Sequence, residues 1–251
     1  YNDFESEREL ENVLKRKRDE VACIVMNPID YWSPPKNGYL KWVRELADEY
    51  NVILVFDEIV TGFRLALGGA QEYFDVTPDL ACFAKGMSSG MPVSALAGKR
   101  ELMSLMKELQ ISSTYGGEIL SLAAVVAAIK EYKEKNVQSY LWAQGEKLMK
   151  RLNEAAKNLG VKVNWSGFPP ISMFKFSYED AELNSDLLTL FLQECASRGV
   201  LFRKGGPVYI CYSHTDEDIE MTVRACTESL RVVKEAYEKR DVKNRLRSLE
   251  P

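Results

Sequence analysis

Val52–Phe56 ("VILVF") is a continuous apolar run, rich in β-branched residues, that stops at two adjacent carboxylates, Asp57 and Glu58. An apolar run of this length without alternation reads as a strand buried on both faces, the pattern of a parallel sheet covered by helices. Its neighbours in the chain agree. Tyr39–Tyr50 carries Leu40, Val43, Leu46 and Ala47 at helical spacing, and Val21–Pro28 reads as another buried strand stopped by Asn27-Pro28. After the loop Thr61–Asp79 come two short strands, Leu80–Ala84 and Val93–Ala97, on either side of the small-residue stretch Lys85–Pro92. Strand and helix in alternation predict an α/β fold with a largely parallel sheet and flanking helices.

Glu5–Lys17 is helical in pattern, as are the Ala/Leu/Val-rich Glu118–Lys135 and the following Gln138–Leu159. Strand candidates at Val161–Asn164, Ile171–Phe176 and Val208–Ser213 alternate with helices at Ser185–Arg198 and Thr215–Lys239. Thr215 with Asp218 three positions on matches a capping box with Asp in place of Glu. This second half reads as a smaller C-terminal α/β domain, so the expected domains are residues 1–135 and 136–251. The charged last dozen residues are expected to be a frayed tail. The chain opens at Tyr1, without methionine and inside structured sequence, so it is expected to be a piece of something longer.

A net charge of −4, with no basic tract interleaved with aromatics, predicts no nucleic-acid partner. No apolar run approaches the ~20 residues that cross a bilayer, and no signal peptide opens the chain. The cytoplasm is therefore the expected location. Cys23, Cys82, Cys195, Cys211 and Cys226 are odd in number and spread through apolar surroundings, which predicts buried free thiols rather than disulfides or a zinc site. His214 is the only histidine, so neither a metal cluster nor a Ser-His-Asp set is expected, and a structural role is. The four tryptophans, Trp32, Trp42, Trp142 and Trp165, read as packing residues.

Three features bear on chemistry. Asp57 ends a strand at the carboxyl edge, where open α/β sheets place ligands. It suits a magnesium ion in a nucleotide hydrolase, an organic cofactor, or no ligand at all as a solvated turn acid. Lys85 leaves a buried strand, which predicts partial desolvation, a lowered amine pKa and a nucleophile or Schiff-base former; the plain alternative is a surface lysine. Ser112–Glu118 ("SSTYGGE") opens a helix with hydroxyls and paired glycines, either as an anion site or as simple N-capping by Ser113 or Thr114. No G-x-x-x-x-G-K-[ST] loop occurs in these residues. A hydrolase would also leave Lys85 and the helix start without a joint purpose. Pyridoxal phosphate uses all three: an acid for its ring nitrogen, a lysine for its aldehyde and an anion site for its phosphate.

The ordered motifs "VILVFDEIVTGFR", "GGAQEYFDVTPDL" and "FAKGMSSGMPVSALAG", with the late "YSHTDEDIE", resemble the core of class III, fold-type I pyridoxal-phosphate enzymes of the glutamate-1-semialdehyde aminomutase-like branch. The resemblance runs from Tyr1 to about Ala236. It implies that Asp57 pairs with the protonated pyridine nitrogen and that Ile59 presses on one ring face. Lys85 would form the Schiff base and then shuttle the proton between substrate Cα and cofactor C4′. Thr114 would reach the phosphate of the neighbouring subunit, in a homodimer with shared active sites. No metal is implied.

The expected function is an aminotransferase moving an amino group between a small-molecule amino donor and a carbonyl acceptor. An aminomutase and a non-catalytic or assembly-dependent half-subunit are the alternatives. Departures from the family pattern are Asn27-Pro28 for Glu-Pro, Val60 for a Gln aimed at the cofactor's phenolic oxygen, and "GGE", ending at Glu118, for "GNP". The family's amino-terminal part, with its Gly/Ser phosphate loop and ring-stacking aromatic, is missing from these residues. Arg64, Arg203 and Lys204 are the candidates for a substrate carboxylate, against surface salt bridging.

Overall fold

The computed structural model describes residues 4–18, 20–111 and 114–247. They divide into two compact units, one of residues up to Asp30 together with Pro34–Gln138, the other of Tyr31–Ser33 together with residues from Ser139 on.

The first unit is built on a four-stranded sheet, β1 (Cys23–Met26), β2 (Ile53–Asp57), β3 (Leu80–Phe83) and β4 (Ala95–Gly98), in that spatial order. The first three strands are parallel, and β4 returns antiparallel to β3. Helices α1 (Phe4–Arg16), α2 (Tyr39–Glu49), the short α3 (Ala70–Phe74) and α4 (Arg100–Ser104), and α5 (Ile119–Glu134) accompany it. The apolar stripe read from the α2 spacing is the core: Tyr39, Leu40, Val43 and Ala47 pack with Leu54, Phe56 and Val76, while Leu46 joins Leu14 and Val52. Removing such side chains from water is what holds the helix to the sheet.

An expectation of burial fails here. β1 is an edge strand of this sheet, with Ile24 packed on the core while Cys23 and Val25 face out, Val25 at 64% exposure. Helix α5 is apolar yet largely uncovered among the described residues, with Ile119 at 79% and Val126 at 71% exposure. Composition predicts that such residues seek cover, whereas actual burial depends on a neighbouring element being there.

The second unit contains α6 (Val137–Leu159) from Ser139 on, the antiparallel sheet β5 (Val163–Phe168), β6 (Ile171–Phe176) and β7 (Val208–Tyr209), and helices α7 (Ala181–Ser197) and α8 (Asp216–Glu238). Its core is aromatic: Trp165 stacks on Phe174 at 5.0 Å between centroids, and Phe191 meets Phe174 edge-on at 5.5 Å. Edge-to-face and offset geometries of this kind favour aromatic pairs beyond the area they bury. Two glycines allow backbone to approach backbone. A Cβ on Gly145 in α6 would lie 1.9 Å from the Pro169 carbonyl oxygen, and one on Gly167, at φ 93°, would lie 2.2 Å from that of Tyr31.

Thr215 caps α8 in the expected box: its hydroxyl accepts from the Asp218 N–H, and the Asp218 carboxylate accepts from the Thr215 N–H at 2.8 Å. The tail is ordered further than expected, because Val242–Arg245 forms a 3-10 turn with Val242 buried, while residues 248–251 lie outside the described residues. All five cysteines are free, but only Cys195 and Cys226 are fully buried; Cys23 and Cys211 are exposed, against expectation.

Candidate active site

The carboxyl edge of β2 and β3 collects the residues singled out by the sequence. Parallel register sets Asp57, the last residue of β2, beside Cys82 on β3, and Lys85 follows three residues later, just beyond the end of that strand. Asp57 is half-buried. Its Oδ1 accepts the Ile59 N–H at 3.0 Å, an Asx turn that leads the chain off the sheet through the half-buried Ile59 and Val60. Its second oxygen has no hydrogen-bond partner among the described residues. Burial, and then the Asp57 charge, push the Cys82 thiol above its ordinary value.

The adjacent acid has a different job. Glu58 continues the β2–β3 ladder through its N–H to the Cys82 carbonyl at 2.9 Å, and its side chain is fully buried. Its carboxylate accepts from the Thr61 hydroxyl and from the backbone N–H groups of Ala70 at 2.9 Å and Gln71 at 2.8 Å. It thus satisfies the open N-terminus of α3, whose cap residue Gly69 has no side chain to do so. Any Cβ at Gly69 would strike it, at 2.5 Å from Glu58 Oε2. Sequence reasoning missed this role; the available signal was the Gly68-Gly69 pair directly before a helix start.

Lys85 stands at φ 43°, opening a 3-10 turn, and its side chain makes no hydrogen bond or ion pair with the described residues. It is exposed rather than partly desolvated as expected, because it lies beyond the end of β3 at the open edge of the sheet. The loop that follows is tightly turned: Ser89 at φ 52° and Gly90 at φ 129° are left-handed, and Ser88 Oγ donates to the Met91 carbonyl at 2.5 Å.

Thr114 lies on an exposed turn ahead of α5, and no hydrogen bond links it to the carboxyl edge. Ser112 and Ser113 lie outside the described residues. The helix cap is Glu118, not Ser113 or Thr114: its carboxylate accepts from the N–H groups of Leu120 at 2.6 Å and Ser121 at 2.8 Å. Bonds from Ser121 and then Leu120 hold that carboxyl below its ordinary range. The expected anion site at this helix start is therefore already occupied by the chain's own carboxylate.

His214 is structural, its Nδ1 accepting from the Cys211 N–H at 3.3 Å and its carbonyl from the Tyr140 hydroxyl at 2.6 Å. Lys204 is engaged by Thr189 at 3.1 Å. Among the described residues no group of three or more His, Cys, Asp or Glu stands where it would hold a metal, and no helix is long and apolar enough to cross a membrane.

The model of the class III aminotransferases matches residues 2–228. The chain belongs to that family. It is 37% identical, over 93% of its own length, to a 3-aminobutyryl-CoA aminotransferase of Cloacimonas acidaminovorans. It is 34% identical, over 94%, to a glutamate-1-semialdehyde 2,1-aminomutase of Syntrophobacter fumaroxidans. In each case it spans 57% of the relative's length.

Among solved structures, the FumI protein of Sphingopyxis sp. MTA144, in its PLP internal aldimine form, superposes with a TM-score of 0.87 at 20% identity, over 95% of this chain and 57% of that one. An omega-transaminase from Sphaerobacter thermophilus gives 0.83 at 21%, over 93% and 56%. The fold of this class III chain is thus that of the fold-type I transaminases, of which it carries part, as a mixed sheet with flanking helices and a second, smaller sheet.

Proposed function

We propose that this class III chain carries part of the active site of a pyridoxal-phosphate-dependent aminotransferase that moves an amino group between a small-molecule amino donor and a carbonyl acceptor. The observation that carries the reading is the pairing, on one edge of neighbouring parallel strands, of a half-buried carboxylate with a free oxygen, Asp57, and an unpaired amine, Lys85. That donor set fits the cofactor: an anionic acceptor beside an apolar residue for a ring N–H, and a primary amine for an aldehyde. When bound, pyridoxal phosphate supplies the aldehyde that takes up the amino group and a protonated ring that draws electrons from Cα.

The chain's own residues do the rest. Asp57 offers its free oxygen to the ring N–H and keeps the proton there by a charge-assisted bond. Its Asx turn fixes the carboxylate plane before any ligand arrives. Ile59 excludes water from one ring face. Lys85 would hold the aldehyde carbon and move the proton at substrate Cα. Thr114 reaches a phosphate across a homodimer, a reading supported by the exposed apolar residues of α5 that follow it. In this reading residues 1–135 are the later part of the large domain and 136–251 the small domain. Five free cysteines fit a reducing cytoplasm.

An aminomutase is the second reading, because the 34%-identical relative carries that name. A mutase needs no external amino donor, so dependence of turnover on an added donor separates the two. The central test is borohydride reduction of the full-length protein loaded with pyridoxal phosphate, with the modified peptide mapped by mass. A pyridoxyl group on Lys85 is expected; its absence from Lys85 would overturn the assignment.

A further inference from the structure

Two carbonyls at the carboxyl edge of the first sheet are gripped by side chains from far along the chain, and each belongs to a loop with left-handed backbone at a non-glycine residue. The Tyr132 hydroxyl of α5 donates to the Gly86 carbonyl at 2.5 Å, one residue beyond Lys85 with its φ of 43°. Gln138 Nε2 donates to the carbonyl of Phe63 at 2.9 Å, and Phe63 has a φ of 61°. The Phe63 ring lies 6.0 Å from that of Tyr132 and 5.8 Å from that of Phe83, so the two loops and α5 share one aromatic contact.

Ser89 Oγ lies 2.5 Å from the same Tyr132 hydroxyl. A phenol has one proton and a carbonyl only accepts. With that proton on Gly86, the Ser89 hydroxyl must donate to Tyr132, and each bond in the chain Ser89–Tyr132–Gly86 polarises the next. Left-handed backbone at a residue bearing a Cβ persists only where the surroundings over-determine it. Here the Lys85–Ser89 turn, left-handed at φ 43° and 52°, is tied to one side-chain oxygen at Ser89 and at Gly86, the residue after Lys85.

We propose that Tyr132 is a positioning residue for Lys85: its hydroxyl, bridging Gly86 and Ser89, holds the left-handed turn that fixes where the Lys85 amine starts from. The catalytic part rests on Lys85 being the Schiff-base lysine. Its physical basis is that displacing a reacting group by about 1 Å costs on the order of 100-fold in rate.

The test uses the full-length protein and Tyr132→Phe, which keeps the ring against Phe63 and removes only the hydroxyl. In the cofactor-free protein, amide exchange at Gly86–Gly90 should rise about tenfold, with the β2 amides unchanged. Capture of added pyridoxal phosphate by Lys85, followed by visible absorbance, should slow about tenfold, and kcat should fall about as much while the KM for the amino donor holds. Ser89→Ala removes one of the two partners and should move every readout the same way by less; it carries the test alone should the phenylalanine variant not fold. Exchange at Gly86–Gly90 like that of the parent would overturn the clamp. Faster exchange with capture rate and kcat unchanged would overturn the positioning role, as would a rise spread through β2 and α2. Should the parent form no reducible Schiff base on Lys85, the functional reading falls, while the exchange comparison still decides whether the hydroxyl holds the turn.

Discussion

Glu58→Gln should destabilise the first unit far more than Asp57→Asn, although the two acids are adjacent and both substitutions trade a carboxylate for an amide. Glu58 is fully buried and accepts three hydrogen bonds, from the Thr61 hydroxyl and the Ala70 and Gln71 N–H groups. Glutamine has one acceptor oxygen. Whichever way it turns, its NH2 faces an N–H donor, and one buried donor left unpaired costs about 1–3 kcal/mol. Loss of the negative charge at the start of α3 adds about 0.3–1 kcal/mol.

The sum is about 3 kcal/mol, and at about 2–4 °C per kcal/mol for a chain of this size the melting temperature should fall by roughly 10 °C. Asp57, by contrast, accepts a single bond, from the Ile59 N–H, which an amide oxygen can keep, so its replacement should cost less than about 1 kcal/mol. Melting of the cofactor-free full-length protein avoids confusing this difference with ligand binding. A Glu58→Gln melting point within about 2 °C of the parent, or a larger loss in Asp57→Asn, would refute the division of labour between the two acids.

Asp57→Asn should retain the fold and the borohydride-trapped adduct on Lys85 while transamination falls about 100-fold or more, measured as single-turnover rates, because the amide no longer holds the ring proton by charge. Asp79 is buried, which raises its carboxyl, but bonds from Lys99, the Leu54 N–H and Arg44 together leave it below its ordinary value of 3.8. A depressed folded pKa means stability that is present above 3.8 and lost as pH falls below it, so urea midpoints of parent and Asp79→Asn should differ at pH 7 and converge towards pH 3. Gly145→Ala would gain about 1 kcal/mol of helix propensity on an exposed face. Here the new methyl would meet the Pro169 carbonyl oxygen at 1.9 Å, so a net loss of about 1–3 kcal/mol should appear in denaturant titration of the protein.

The sequence by itself determined the features whose causes lie within a few residues. The apolar stripe of α2, the run that became β2 and the Thr215–Asp218 box depend on periodicity and local hydrogen bonding, and each stands where expected. So do Asp57 and Lys85, because a strand's end is set locally and parallel neighbours bring their carboxyl ends to one edge. The family motifs were legible for the same reason, being contiguous stretches around those strand ends.

Tertiary structure decided everything that depends on partners distant in the chain. Which of the two adjacent acids turns inward was invisible, since Glu58 is claimed by N–H groups twelve and thirteen positions away. The sequence could not show whether β4 would run parallel or antiparallel, nor that β1 would be an edge. It favoured Ser113 or Thr114 as the cap of α5, where the longer Glu118 side chain folds back on the helix instead. The exposure of α5 and of Lys85 follows the same rule. Hydrophobicity sets what a residue gains from cover, but only the packing of elements determines whether cover is there.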